Sequence, residues 1–317
     1  MHVAARIVLF ALFLSLAVPC LATVASPGPF VVMELADGVW LYRAPDDNPR
    51  LSNSLVVERS DGLLVVDSQP TPVSAGLFRK QLATQLDAPI RYLVLSHPHA
   101  EAAGGASGFD DTGALLIGSS AFNRTMKDPE SDFGAECRDK IGDGWVDPPR
   151  RSATLEILSS TRLDDERNTV DLLPLKRGHS RGDMTVSLPD LRLLYIGGVI
   201  YPDRNPYMRD GSAEGSLRFF NSLIRDKYAT IVGIHGDPIA ELELKRLRDG
   251  LAWLRGRITY HFVQKVAEAE IADKVLNDEG IEEQFNMDAR PNFVRSVVES
   301  AITEMISDRK SRGYNSP

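Results

Sequence analysis

In the stretch "SHPHAEAAGG", Ser96 to Gly105, His97 and His99 stand one residue apart at the end of the apolar run "IRYLVL", and Glu101 follows. Imidazoles at i and i+2 in a loop leaving a strand can turn toward one point, and imidazole nitrogen is a common metal donor. Two ligands do not make a zinc site. Zinc takes at least three protein ligands, with an open position for water where it is catalytic. His179 is a candidate third, in "KRGHSRGD", where Gly178 and Gly182 allow a sharp bend. His235, in "GIHGDP", again ends an apolar run and precedes a glycine. The chemistry such a set supports is hydrolysis, because zinc lowers the pKa of its water to about 7 and polarises an acyl oxygen. Glu101 is placed to act as a general base or to orient that water, and His235 to assist at the substrate. Taken singly, a strand-end histidine is more often a hydrogen-bonded core or surface residue than a ligand. His261, inside the helical stretch "ITYHFVQ", has no companion in sequence and is read that way.

The elements that would carry these loops alternate between short β-branched runs and longer amphipathic segments. "FVVMELADGVWLYRA" and "NSLVVERSDGLLVVDS" read as hairpins turning at Asp37-Gly38 and Asp61-Gly62. "SAGLFRKQLATQLD" has helical spacing, and "IRYLVLS" is a continuous apolar strand of the kind buried on both faces. Further strands are expected at "ALLIGS", "TVDLLPL", "DMTVSL", "LRLLYIGG" and "YATIVGI", with a helix over "SAEGSLRFFNSLIRDK" between the last two. "ESDFGAECRDKIGDGWVDPPRR" is polar and rich in Pro and Gly, and reads as a surface excursion. After Pro238 the chain becomes helical by period and composition, with a break at Asn277-Asp278-Glu279-Gly280. Strand pairs and helices in this order predict sheets covered by helices.

In order and spacing, "NSLVVERSDGLLVVDSQP", "RYLVLSHPHAEAAGG", "GHSRGD", "LLYIGGVIY" and "IHGDP" resemble the successive motifs of the metallo-β-lactamase superfamily. The resemblance runs from about Phe30 to Pro238 and implies an αββα four-layer sandwich of the α/β (α+β) class, here with a C-terminal helical extension. Its core motif reads H-x-H-x-D-H-x-G-G, against "HPHAEAAGG" in this chain. Carried over by position, His97, His99 and His179 are the implied ligands of a first metal, and Asp67 and Asp183 supports of the metal-holding loops. The implied second-metal positions hold Glu101, Ala102, Gly198 and His235. Ala102 has no donor atom, and Gly198 lacks the carboxylate that would bridge two ions. The resemblance therefore implies one zinc rather than two; three histidines with a carboxylate also suit iron or manganese.

The whole chain sets wider bounds. With 317 residues, 43% hydrophobic and 25% charged, the composition is globular, and a net charge of −8 argues against nucleic acid as a partner. Residues 1–25 carry Arg6, an apolar run from Ile7 to Val18 and small residues at Ala22 and Ala25. This is the pattern of a secretory signal peptide rather than a membrane span. Pro19 before Cys20 suits lipid attachment poorly. Cleavage would leave Cys137 as the single cysteine, so no internal disulfide is expected. The expected organisation is a signal peptide over 1–25, a metallo-β-lactamase-fold domain over 26–240 and a helical extension over 241–317. The expected activity is hydrolysis of a small-molecule ester, amide, lactam or thioester by a periplasmic enzyme. The alternative is a catalytically degenerate binding or accessory protein of a periplasmic quinoprotein or sulfur-oxidation system. That setting is suggested by "ARPNFVRSVVESAI", which resembles the terminal helix of exported bacterial members.

Overall fold

The computed structural model of the chain describes residues 22–24, 26–200, 207–285 and 291–311. Most of the expected signal peptide, Cys20 included, lies outside them, as do residues 201–206. Along the first half run β1 (Ala22–Val24), β2 (Val31–Ala36), β3 (Val39–Arg43), β4 (Ser54–Arg59), β5 (Gly62–Val66), α1 (Pro72–Leu82), β6 (Ile90–Val94) and α2 (Ala100–Ala103). These are followed by β7 (Leu115–Ser119), α3 (Ser120–Lys127), α4 (Ala135–Ile141) and β8 (Leu155–Ile157). The second half holds β9 (Thr161–Leu163), β10 (Val170–Pro174), β11 (Met184–Leu188), β12 (Leu193–Tyr195), α5 (Ala213–Asp226) and β13 (Thr230–Val232). Four helices close the described chain: α6 (Glu241–Val263), α7 (Glu268–Leu276), α8 (Ile281–Gln284) and α9 (Pro291–Ser311).

Among the described residues, β1 to β8 lie in sequence order in one sheet and β13-β12-β11-β10-β9 form a second. Both foreseen hairpins are present, β2 with β3 and β4 with β5, and Gly38 takes the left-handed conformation (φ +69°) that the first turn requires. From β5 to β8 the strands are parallel, so their carboxyl ends collect on one edge of the sheet. Helix α1 makes the crossover from β5 to β6. It starts from Thr71, whose hydroxyl accepts from the Ser74 amide while the Ser74 hydroxyl accepts from the Thr71 amide. The strand β6 is less buried at its start than its apolar run suggests: Arg91 is exposed, and full burial begins at Leu93.

Alternation along the strands sorts the core into layers. Leu55, Val57, Leu64 and Val66 point between the sheets and meet Leu172, Val186, Tyr195 and Val232 of the second sheet. Val56, Leu63, Val65 and Leu93 point the other way and pack under α1 with Phe78, Phe109, Phe122 and Phe133. The outer face of the second sheet, through Leu194 and Ile231, is covered by α5 together with α6, α7 and α9 in one continuous cluster. The result is the expected αββα sandwich, with the C-terminal helices merged into its fourth layer. No described helix is long and apolar enough to cross a membrane.

Candidate metal centre

The loops at one edge of the sandwich bring His97, His99, Glu101 and His179 together, with one ligand atom from each lying within 4.8 Å of the others. His97, His99 and Glu101 follow β6 in the first sheet, whereas His179 lies between β10 and β11 in the second. The Met184 amide donates to the Ser96 carbonyl (2.7 Å) and joins the two loops. The three rings are mutually near-perpendicular, with centroids 4.7–5.2 Å apart. The inward atoms are His97 Nε2, His99 Nδ1, His179 Nε2 and Glu101 Oε1. Their separations are 2.8 Å (His99–His179), 2.9 Å (His97–Glu101), 3.6 Å (His99–Glu101) and 3.7 Å (His179–Glu101). Tetrahedral zinc with bonds near 2.0–2.2 Å sets donors about 3.3 Å apart, so an ion fits if the two short pairs open by a few tenths of an ångström.

The outward nitrogen of each ring is held by an oxygen, and this fixes which nitrogen faces the cluster. His179 Nδ1 donates to the Tyr207 carbonyl (2.9 Å), and His99 Nε2 to Asp210 Oδ2 (3.1 Å). His97 Nδ1 lies 2.9 Å from Ser96 Oγ, and the Ser96 hydroxyl donates onward to Asp67 Oδ2 (2.7 Å). Asp67 also accepts from the Ser96 amide (2.7 Å) and from the Tyr195 hydroxyl of the second sheet (2.7 Å). To reach these partners Asp67 turns out of β5 in the left-handed region, φ 65°. Burial raises its pKa to about 6, against the pull of His97, Ser96 and Tyr195. Asp183 supports the His179 loop, its carboxylate accepting from the amides of Gly178 and Ser180 (3.0 Å each) and from the Ser180 hydroxyl.

Charge within the cluster is strongly organised. Burial works against the Glu101 carboxylate, yet hydrogen bonds to His179, His97 and His99 hold its pKa well below the usual carboxylate range. Burial likewise disfavours charge on His99, but its bonds to Asp210 and Glu101 outweigh that and lift it to about 10. A doubly protonated His99, donating Nε2–H to Asp210 and Nδ1–H to His179, satisfies both contacts in the absence of metal.

The glycines and alanine of "HPHAEAAGG" have steric roles. A Cβ on Gly104 would stand 2.0 Å from the Pro70 carbonyl oxygen, and one on Gly105 2.1 Å from that of Ser68. Ala102 is fully buried, with its carbonyl accepting from the Ser68 amide (2.7 Å). Gly198 lies against the metal cluster itself: a Cβ there would be 2.6 Å from His179 Nε2.

His235 stands apart from the four-residue cluster, with Nε2 2.9 Å from Lys140 Nζ. The polar stretch read as a surface excursion differs most from its sequence. Phe133, Glu136 and Cys137 are buried, and the Ala100 amide donates to the Phe133 carbonyl (2.9 Å), so α4 roofs the cluster. The buried thiol of Cys137 donates to Glu101 Oε2 (3.9 Å), and burial, reinforced by that carboxylate, pushes its pKa well up. His261, far away in α6, bonds Asp278 Oδ2 at 3.0 Å. Tyr207, Asp210 and Glu136 escape a reading by motif, because the cluster residues they meet lie far along the chain; Ser96, beside the first histidine, carried the nearest signal. Beside His99 opens a cavity of about 670 Å³ lined by Arg124, Arg181 and Arg209 interleaved with Asp128, Asp132 and Asp210.

A profile of the metallo-beta-lactamase superfamily matches residues 47–235. Among solved structures, a metallo-beta-lactamase from Pontibacter korlensis superposes with a TM-score of 0.57 at 15% identity, covering 70% of this chain and 98% of that one. The stereoselective inverting sec-alkylsulfatase Pisa1 from Pseudomonas sp. superposes at 0.61, also at 15% identity. That alignment covers 86% of this chain and only 50% of the sulfatase, and a double mutant of the same enzyme gives a TM-score of 0.61. No curated protein matches the sequence. The chain belongs to the metallo-beta-lactamase superfamily, and it carries a buried histidine and glutamate cluster suited to a metal ion.

Proposed function

We propose that the chain is an exported, periplasmic hydrolase that works with one zinc ion held by His97, His99 and His179. The observation that carries this reading is the set of three imidazoles facing one point, each with its far nitrogen tied to an oxygen. When bound, zinc supplies Lewis acidity toward a substrate oxygen and acidifies water. Around it the chain's own groups divide the remaining work. Glu101 is ionised and within 3.7 Å of His99 and His179, where it completes the donor set or accepts a proton. Asp67, acting through Ser96, holds the His97 ring, and Asp210 holds His99 at the cavity wall. A cleft of about 670 Å³ suits a small molecule, and its alternating arginines and aspartates suit a polar one.

The test is metal analysis of the purified protein joined to turnover on carboxylic esters, lactams, thioesters and, given the sulfatase-like neighbours, secondary alkyl sulfates. One zinc per chain, lost in His97→Ala, and turnover lost in Glu101→Gln are the expected results. One zinc with no turnover across the panel would overturn the hydrolase and leave a metal-holding accessory protein.

A further inference from the structure

We propose that Lys140 is a built-in cation that closes a latent second metal position beside the zinc cluster; the inference rests on the metal reading above. Glu136 and Lys140 lie one turn apart on α4 and share a face. Glu136 is buried with Oε2 3.8 Å from His179 Nε2, one of the inward atoms of the cluster. Its other oxygen, Oε1, pairs with the Lys140 ammonium and stands 3.9 Å from His235 Nε2. The ammonium in turn lies 2.9 Å from His235 Nε2.

An ammonium can only donate, so His235 presents the lone pair of Nε2 to it, in the pose that would coordinate a metal. A carboxylate and an imidazole lone pair, two of the commonest zinc donors, thus converge on a cation. That cation is a side chain, only 11% exposed, with Glu136 fully buried and His235 22% exposed. An ammonium is costly to bury unless it is paired, and Glu136 and His235 supply that pairing here. Lys140 therefore neutralises a buried carboxylate beside the cluster, as a second ion would, and denies that ion its place. The chain is held to one metal by a residue it contains as well as by donors it lacks.

The experiment titrates zinc into the metal-free full-length protein and counts bound ion by elemental analysis and by the visible spectrum of the cobalt form. The wild type and Lys140→Arg should saturate at one ion per chain. Lys140→Ala should take up a second ion far more weakly than the first, because Glu136 and His235 supply only two protein donors and water must fill the remaining positions, and adding His235→Ala should return it to one. Lys140→Met, which keeps the aliphatic stem, gives the same reading should the alanine variant fail to fold. A folded Lys140→Ala or Lys140→Met that still saturates at one ion would overturn this inference and leave the single-zinc reading standing, and so would a wild type that already binds two. No ion at all in the wild type would remove both readings.

Discussion

At the scale of the residue, the orientation of each ligand depends on an oxygen behind it. The carboxylate of Asp67 can only accept, so the Ser96 hydroxyl must donate to it and offer its lone pair to His97 Nδ1–H. In Asp67→Asn the amide can present one oxygen but not two, and His97 loses its fixed tautomer. Metal affinity should fall on the order of 10- to 100-fold in a competition against a chromophoric chelator. His99 makes a second prediction. With its pKa lifted to about 10, it adds stability to the metal-free chain that is fully present below the ordinary value of 6.5 and is lost as pH rises through 10. Zinc must displace its Nδ1 proton, so binding at pH 7 to 8 should release about one proton. Calorimetry in buffers of different ionisation heat measures this, and a heat independent of buffer would contradict it. Gly198 makes a third. Restoring the acidic residue expected there should not build a second site, because a Cβ meets His179 Nε2 at 2.6 Å; Gly198→Asp should weaken the first ion instead. The three histidines were legible because His97 and His99 stand one residue apart at the end of an apolar run and His179 sits between glycines in a loop after another strand. Asp210 and Lys140 were not, since the first reaches His99 across 111 positions and the second reaches His235 across 95.

At the scale of the element, the site is roofed and braced by segments whose composition hides that role. The sequence around α4 is polar and contains Pro and Gly, the marks of a solvated loop, yet Phe133 and Cys137 anchor it in the core beneath. Period and turn chemistry report local preference, and they cannot weigh a few buried contacts made against a distant helix. Hairpins and crossover helices were readable because their signals are local. The short strands β8 and β9, three residues each, offer too little alternation to register. Helix α9 shows how the C-terminal layer bears on chemistry. Ser300 donates to the Met208 carbonyl (2.8 Å), and Glu304 accepts from the Ser212 hydroxyl and from the Glu214 amide (3.3 Å). These contacts clasp the loop that carries Tyr207 and Asp210, the partners of His179 and His99. Glu304→Ala should therefore loosen that loop and lower zinc affinity about tenfold, although it lies outside the donor set. Hydrogen exchange across residues 207–213 should rise with it; unchanged affinity with unchanged exchange would show that the clasp does not reach the metal.

At the scale of the whole molecule, the donors come from both sheets. His97, His99 and Glu101 hang from the edge of the first sheet and His179 from the second, and Tyr195 already crosses from the second to reach Asp67. An ion bound by all of them is a staple across the sandwich, whereas an ion held by one loop would stiffen only that loop. Its binding energy is then folding energy of the entire domain, because no such donor set survives in the unfolded chain. At free zinc a thousandfold above its Kd the gain is about 4 kcal/mol, which for a domain of this size moves Tm on the order of 10 °C. Chelation of the wild type should produce that drop in a single cooperative transition and raise exchange in β6 and β10 together. In His179→Ala the remaining donors all belong to the first sheet, so added zinc should return little of the loss and protect β6 alone. Recovery of the full Tm by zinc in His179→Ala would mean that the ion never spanned the sheets.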